Sequence, residues 1–242
     1  LFYEEYINFL NQYLIAMKNN EIIFHEIFNQ NKNATYPIQK ILELGVHVGE
    51  NPVFGGQSTK IFYALYNTYG FEFLHSLDIY NGCSETIEIV KDIFKDFKLP
   101  FHEFIVCNSI AYETEIKYDF IFLDTNHDSG TTPNFGFEGE VDGAGFTFSE
   151  INKYSKMLTD NGRFLLHDTK MFYQAQTLGN NVEGAVVKFI RENKDWAFVE
   201  HNTNDCGLGE LIKINSKIFE FLQSEEKYKN WQIYFDSINS KY

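Results

Sequence analysis

The chain has 242 residues, a mass of 28.3 kDa and a formal net charge of −14. That length suits one full α/β domain, and that charge opposes binding to a phosphate backbone, so nucleic acid is excluded as a partner. With 25 Phe, 15 Tyr and a hydrophobic fraction of 44%, the chain can bury a large core, which excludes global disorder.

Residues 3–30 predict a helix, because Tyr6, Phe9, Leu10, Tyr13, Leu14 and Met17 follow an i, i+3, i+4 rhythm. Its aromatic face is a candidate surface for homo-oligomer formation. Residues 31–37 are polar and turn-rich and break the pattern. Strands and helices then alternate. Strands are expected at 40–45, 71–79, 100–107, 118–124, 162–167, 196–201 and 208–214. Helices are expected at 59–69, 85–97, 148–158, 182–192 and from 216 to 223. This alternation predicts a doubly wound, mostly parallel seven-stranded sheet with helices on both faces, a Rossmann-like α/β fold. The chain divides into a helical extension (1–36), a core (37–215) and a helical tail (216–242) of one domain.

Cys83, Cys107 and Cys206 are widely spaced and form no C-x-x-C pair, so neither a disulfide framework nor a cysteine zinc site is expected. Cys107, ending an apolar strand, reads as a buried reduced thiol. No apolar run approaches the ~20 residues that span a bilayer, and the first residues lack the basic start and apolar centre of a signal peptide. The expectation is a cytoplasmic protein without a membrane partner.

In a doubly wound sheet, ligands bind at the carboxyl ends of the strands. The first such end runs ILELGVHVGENPVFGGQSTKIF into a helix. Gly45, Gly49, Gly55 and Gly56 permit tight turns, and Ser58 and Thr59 suit a helix N-cap. The order is neither a phosphate loop nor a clean G-x-G-x-x-G. Asp78, ending the second strand, can accept hydrogen bonds from the ribose hydroxyls of an adenosine-containing cofactor. These two features alone permit either NAD or S-adenosylmethionine.

The order ELGVHVG, LHSLDIY, VCNSI, YDFIFLDTNHD and LTDNGRFLLHDT resembles the class I S-adenosylmethionine-dependent methyltransferases. More narrowly it is similar to metal-dependent O-methyltransferases of small molecules, of the catechol type and the type acting on macrolide sugars. The resemblance covers about residues 39–214. It implies S-adenosylmethionine held along Glu43, Gly45, Gly49, Ser58 and Thr59, with Asp78 on the ribose and Asn108 and Ser109 near the adenine; His47, in the first loop, is a candidate for shaping the methyl-donor pocket, and Asp124 is a candidate cofactor-binding and catalytic residue. ENPVFGG, standing between Gly49 and Gln57, departs from the family pattern, which runs straight to Ser-Thr.

Asp124 and Asp168 end strands expected to be neighbours, and two converging acids suit a divalent cation (Mg, Mn or Fe). The resemblance places the third ligand at His167 in the sugar-methylating type or at Thr169 in the catechol type. An imidazole ligand would move the preference toward Mn²⁺ or Fe²⁺. His127, three residues after Asp124, matches the family's general base. Histidine titrates near neutrality and can take the hydroxyl proton during methyl transfer. The acceptor implied is a small molecule, a sugar, nucleotide-sugar or glycosylated metabolite, in polysaccharide or natural-product biosynthesis. Residues 129–146 contain five glycines and three acids and read as a lid or substrate-recognition loop. The competing reading is an NAD(P)-dependent oxidoreductase; no Tyr-x-x-x-Lys pair is placed as its proton donor. His25, His75, His102 and His201 read as structural.

Overall fold

The computed structural model describes residues 2–46, 57–78, 101–125, 143–169, 182–202 and 207–224. Its elements are α1 (Phe2–Asn33), β1 (Lys40–Leu44), α2 (Gln57–Tyr69), β2 (Phe73–Asp78), β3 (His102–Val106), β4 (Tyr118–Leu123), α3 (Gly143–Tyr154), β5 (Leu158–His167), α4 (Val182–Glu192), β6 (Trp196–Asn202), β7 (Leu208–Lys213) and α5 (Lys217–Leu222). The seven strands form one sheet in the order β3-β2-β1-β4-β5-β7-β6. All pairings are parallel except those of β7, which runs antiparallel to both β5 and β6. The doubly wound α/β reading therefore holds.

Period-2 alternation gives the central strands two buried faces. In β4, Ile121 and Leu123 face the layer of α3 and α4, with Ile151, Tyr154, Val186 and Phe189. Phe120 and Phe122 face α1 and α2, with Phe24, Ile27 and Phe62. Phe24 packs against Phe62, Phe120 and Phe122 at centroid separations of 5.3–5.6 Å, tilted or edge-on as ring quadrupoles prefer. Helix α4 buries Val182, Ala185, Val186, Phe189 and Ile190, the i, i+3, i+4 stripe of its sequence.

Most boundaries agree with the sequence expectation to within two residues, and three elements differ by more. Helix α1 runs to Asn33 rather than stopping near residue 30, because Gln30 and Asn31 find buried partners (below). The helix expected at 148–158 lies at Gly143–Tyr154 and tightens into a 3₁₀ turn at Ser155–Met157. Strand β5 starts at Leu158, not residue 162; a register shift between Tyr118 and Phe120 absorbs the turn-like DNG. At the amino ends of the strands, Asp119 accepts from the backbone N–H groups of Gln39 and Lys40, both at 3.1 Å, and from Thr159 Oγ1 at 3.0 Å. One carboxylate thus joins β1, β4 and β5.

Cys107 is a free thiol, only half-buried, rather than fully enclosed. The structural reading of the four histidines fits their surroundings: His25 meets Tyr69, His75 meets Tyr118, and His201 meets Glu210. His102 joins a network described below. No helix among the described residues is long and apolar enough to cross a membrane. His47, Gly49, His127, Cys83, Cys206, the helix expected at 85–97 and most of the 129–146 loop lie outside the described residues.

Candidate active site

The strand order brings the carboxyl ends of β1, β2, β4 and β5 to one edge. Gly45 follows β1 with φ of 85°, in the left-handed region that side chains other than glycine's rarely tolerate. Its N–H donates to Leu77 O at 2.9 Å, and a Cβ there would lie 2.1 Å from the carbonyl oxygen of Asp124. Asp124 N–H in turn donates to Leu44 O at 2.8 Å. The turn is therefore pressed against the end of β4, and only glycine fits. Gly45→Ala is expected to cost about 1–3 kcal/mol. A thermal melt equal to wild type would refute this account of the turn.

Asp78 accepts from Val46 N–H at 2.8 Å, so one of its oxygens fixes the chain just after the Gly45 turn. Glu43 faces α2 from near the carboxyl end of β1 and is fully buried. Its carboxylate accepts from Ser58 at 2.5 Å, from Thr59 at 2.8 and 2.9 Å, and from Ser76 at 2.5 Å. Burial pushes its pKa up to about 7; the three hydroxyls oppose that shift, and Asp124 adds to it. The Glu43, Ser58 and Thr59 of the sequence reading thus meet, as a brace binding β1 to the first turn of α2. The brace continues: Ser76 Oγ lies 2.8 Å from His102 Nε2, and Tyr63 OH lies 2.7 Å from His102 Nδ1. With the Ser76 proton on Glu43, the imidazole donates from Nε2 and accepts from Tyr63. Burial, with His75 nearby, holds His102 down at about 3, in keeping with a neutral ring.

On the other side, Asn108 Oδ1 accepts from Ile110 N–H at 2.8 Å, closing the turn after β3. Ser109 Oγ donates to Glu150 Oε1 at 2.5 Å, and Thr125 Oγ1 donates to Glu150 Oε2 at 2.7 Å. Tyr154 OH donates to the Ser109 carbonyl at 2.6 Å. Fully buried Glu150, whose pKa burial pushes up to about 7, thereby ties the ends of β3 and β4 through α3. Neither Glu150 nor Ser76 was singled out from the sequence. The only available signal was an acid on the buried stripe of FTFSEINKY, and a serine inside an apolar strand.

Asp124, His167 and Asp168 converge at the ends of β4 and β5. His167 Nδ1 lies 3.2 Å from Asp124 Oδ1 and 3.1 Å from Asp168 Oδ1. One ligand atom from each residue falls within 4.8 Å of the others. All three side chains are partly exposed, at 18–25%. Asp168 adopts φ of 59°, a left-handed backbone that aspartate tolerates better than most residues. Burial disfavours a charged imidazole, but Asp124 and Asp168 outweigh it and raise the His167 pKa well above its ordinary value. Although close to both acids, buried Nδ1 makes no well-directed hydrogen bond to either. Two carboxylates and an imidazole, each offering one ligand atom to a common point, make a donor set that fits a divalent cation once the imidazole is neutral. Thr169, the other candidate ligand, donates its hydroxyl to Glu200 Oε1 at 2.8 Å.

No protein-family model and no curated protein matches the sequence. Solved structures do match the fold. A Staphylococcus aureus protein provisionally assigned as a caffeoyl-CoA O-methyltransferase superposes with a TM-score of 0.53 at 13% identity, over 88% of this chain and all of that one. An S-adenosylmethionine-dependent methyltransferase from Clostridium acetobutylicum gives 0.52 at 11% identity, over 88% of this chain and 99% of the other. The chain has the Rossmann-like methyltransferase fold. At these identities the likeness speaks for architecture, and the chemistry has to be argued from the site.

Proposed function

We propose that this chain is an S-adenosylmethionine-dependent O-methyltransferase that uses a divalent metal and acts on a hydroxyl of a small molecule. The observation that carries the reading is the Asp124–His167–Asp168 cluster standing next to the Gly45 turn at the carboxyl edge of a methyltransferase-type sheet. On this reading the Gly45 turn and Asp78 receive the cofactor's amino-acid end and ribose, and Ser109 with Asn108 borders the adenine side. Glu43, Ser58 and Thr59 act beneath that surface, because the Glu43 carboxylate is already filled by three hydroxyls.

Asp124, His167 and Asp168 would hold the metal. A divalent cation supplies Lewis acidity, lowering the pKa of a hydroxyl bound to it and helping to orient that hydroxyl. Transfer then forms an oxygen–methyl bond and breaks the sulfonium–methyl bond, leaving a neutral thioether. The hydroxyl proton goes to His127, the base proposed from its position three residues after Asp124. The same Asp-x-x-His spacing supports a sugar, nucleotide-sugar or glycosylated metabolite as acceptor. A strongly acidic chain also suits a cationic methyl donor and a divalent ion.

Calorimetry with S-adenosylhomocysteine and with NADH, each with chelator and with Mn²⁺, tests the assignment. Binding of NADH in place of S-adenosylhomocysteine would overturn it in favour of an oxidoreductase. For the base, His127→Ala is expected to keep S-adenosylhomocysteine affinity while turnover falls about 10²–10⁴-fold. Full turnover in that variant would remove His127 from the chemistry.

A further inference from the structure

The residue after the second aspartate has a role apparent neither from the motif nor from the proposed ligand set. Thr169 is buried at 1% exposure, and its hydroxyl donates to Glu200 on β6 at 2.8 Å. Glu200 pairs with Gly209 of β7, and Gly209 pairs with Leu166 of β5. The three strands are thus in step just below the Asp168 turn. Gly209 leaves the necessary space: a Cβ there would lie 3.1 Å from the Thr169 methyl and 2.3 Å from the Phe198 ring. Thr169 therefore packs its methyl over a glycine and points its hydroxyl at the next strand. The residue held this way directly follows Asp168, whose φ of 59° must be maintained for its carboxylate to meet His167.

We infer that Thr169 and Glu200 form a latch, seated over Gly209, that holds the left-handed Asp168 turn, making both of them positioning residues of the metal cluster. This inference rests on the metal reading proposed above. A free Asp168 turn would relax toward ordinary backbone angles and carry its carboxylate away from His167. Outer partners of this kind are typically worth 10–100-fold in metal affinity. The β6–β7 hairpin, remote in sequence from every ligand, thereby becomes part of the site.

The test is Mn²⁺ affinity, read by electron paramagnetic resonance of free Mn²⁺, in wild type, Thr169→Ser, Thr169→Val, Glu200→Gln and Glu200→Ala. Thr169→Val and Glu200→Ala are expected to lose about 10–100-fold. Thr169→Ser, which keeps the hydroxyl, and Glu200→Gln, which keeps an acceptor, should lie nearer wild type. If Thr169 were itself a ligand, Glu200→Ala would bind Mn²⁺ normally, which overturns the latch. Thr169→Val binding like wild type overturns it too, as does Thr169→Ser losing as much as Thr169→Val. Wild type that binds S-adenosylhomocysteine but no Mn²⁺ fails at the earlier step and overturns the metal reading together with the latch.

Discussion

Asp124→Asn and Asp168→Asn are each expected to weaken Mn²⁺ binding by more than about 100-fold, beyond the range for an outer-shell partner. Each removes one of two carboxylates that lie within 3.2 Å of the His167 nitrogen. Turnover should fall with metal occupancy. S-adenosylhomocysteine binding in the presence of chelator should persist, because the Gly45 turn and the Asp78–Val46 bond involve neither carboxylate. The side chains are partly exposed, and the Asp124 contacts that join β4 to β1 are made by its backbone, which asparagine keeps. Both variants should therefore retain the fold. Unchanged Mn²⁺ affinity in both variants, measured by calorimetry, would exclude the cluster as the metal site.

The largest effect on stability is expected at Arg163. This side chain is fully buried and bonds both oxygens of Glu210, through Nε and through Nη2, the latter at 2.7 Å. Its Nη1 donates to two side-chain amide oxygens on α1, Gln30 Oε1 at 2.8 Å and Asn31 Oδ1 at 3.2 Å. His201 Nε2 sits 2.6 Å from Glu210 Oε2. Arg163→Met leaves Glu210 buried without its main counter-charge, which is expected to cost about 3–5 kcal/mol. Replacing both partners, as Arg163→Met with Glu210→Leu, should recover much of that loss, since a packed apolar pair often matches a buried ion pair.

The pH dependence of stability gives the Arg163–Glu210 pair a second signature. Burial opposes the charged Glu210 carboxylate, but Arg163 outweighs it and holds the carboxyl well below its usual range. A depressed folded-state pKa contributes stability that is present above the unfolded value near 4.5 and is lost as pH falls toward the folded one. In Arg163→Met the remaining burial raises that pKa instead, so acid relieves the variant. The stability gap between wild type and Arg163→Met should thus narrow from pH 7 to about pH 4. A gap that widens in acid, measured by urea unfolding, would contradict this account of the pair.

Much of the architecture was legible because it depends on local chemistry. The strongly apolar run YDFIFL reads as a strand, and the i, i+3, i+4 spacing in 182–192 places a helix with one apolar stripe. The acids at strand ends were also legible, since Asp124 directly follows FIFL and Asp168 follows FLL and one histidine. What the sequence withheld was reach across the fold. Glu43 reads as a cofactor-holding acid and Ser76 carries no signal until β1 and β2 pair in register and bring the two together. Arg163, Glu210 and Gln30 come from three distant segments, and no spacing rule connects them. Thr169 could not be separated from a ligand without knowing that β7 inserts between β5 and β6.

The seam between β1 and β4 has a kinetic meaning as well. It joins segments far apart in the chain: Gln39 N–H meets the Asp119 carboxylate 80 residues later. Closing a loop of that length is slow compared with local helix or hairpin formation. On the proposed reading, the elements assigned to the cofactor, β1 to β3, and those assigned to the metal, β4 and β5, lie on opposite sides of this seam, where Gly45 presses on the Asp124 carbonyl. Neither half can present a complete site while it stands alone. Ligand-binding competence should therefore appear late in refolding, in the same phase as formation of the β1–β4 pairing.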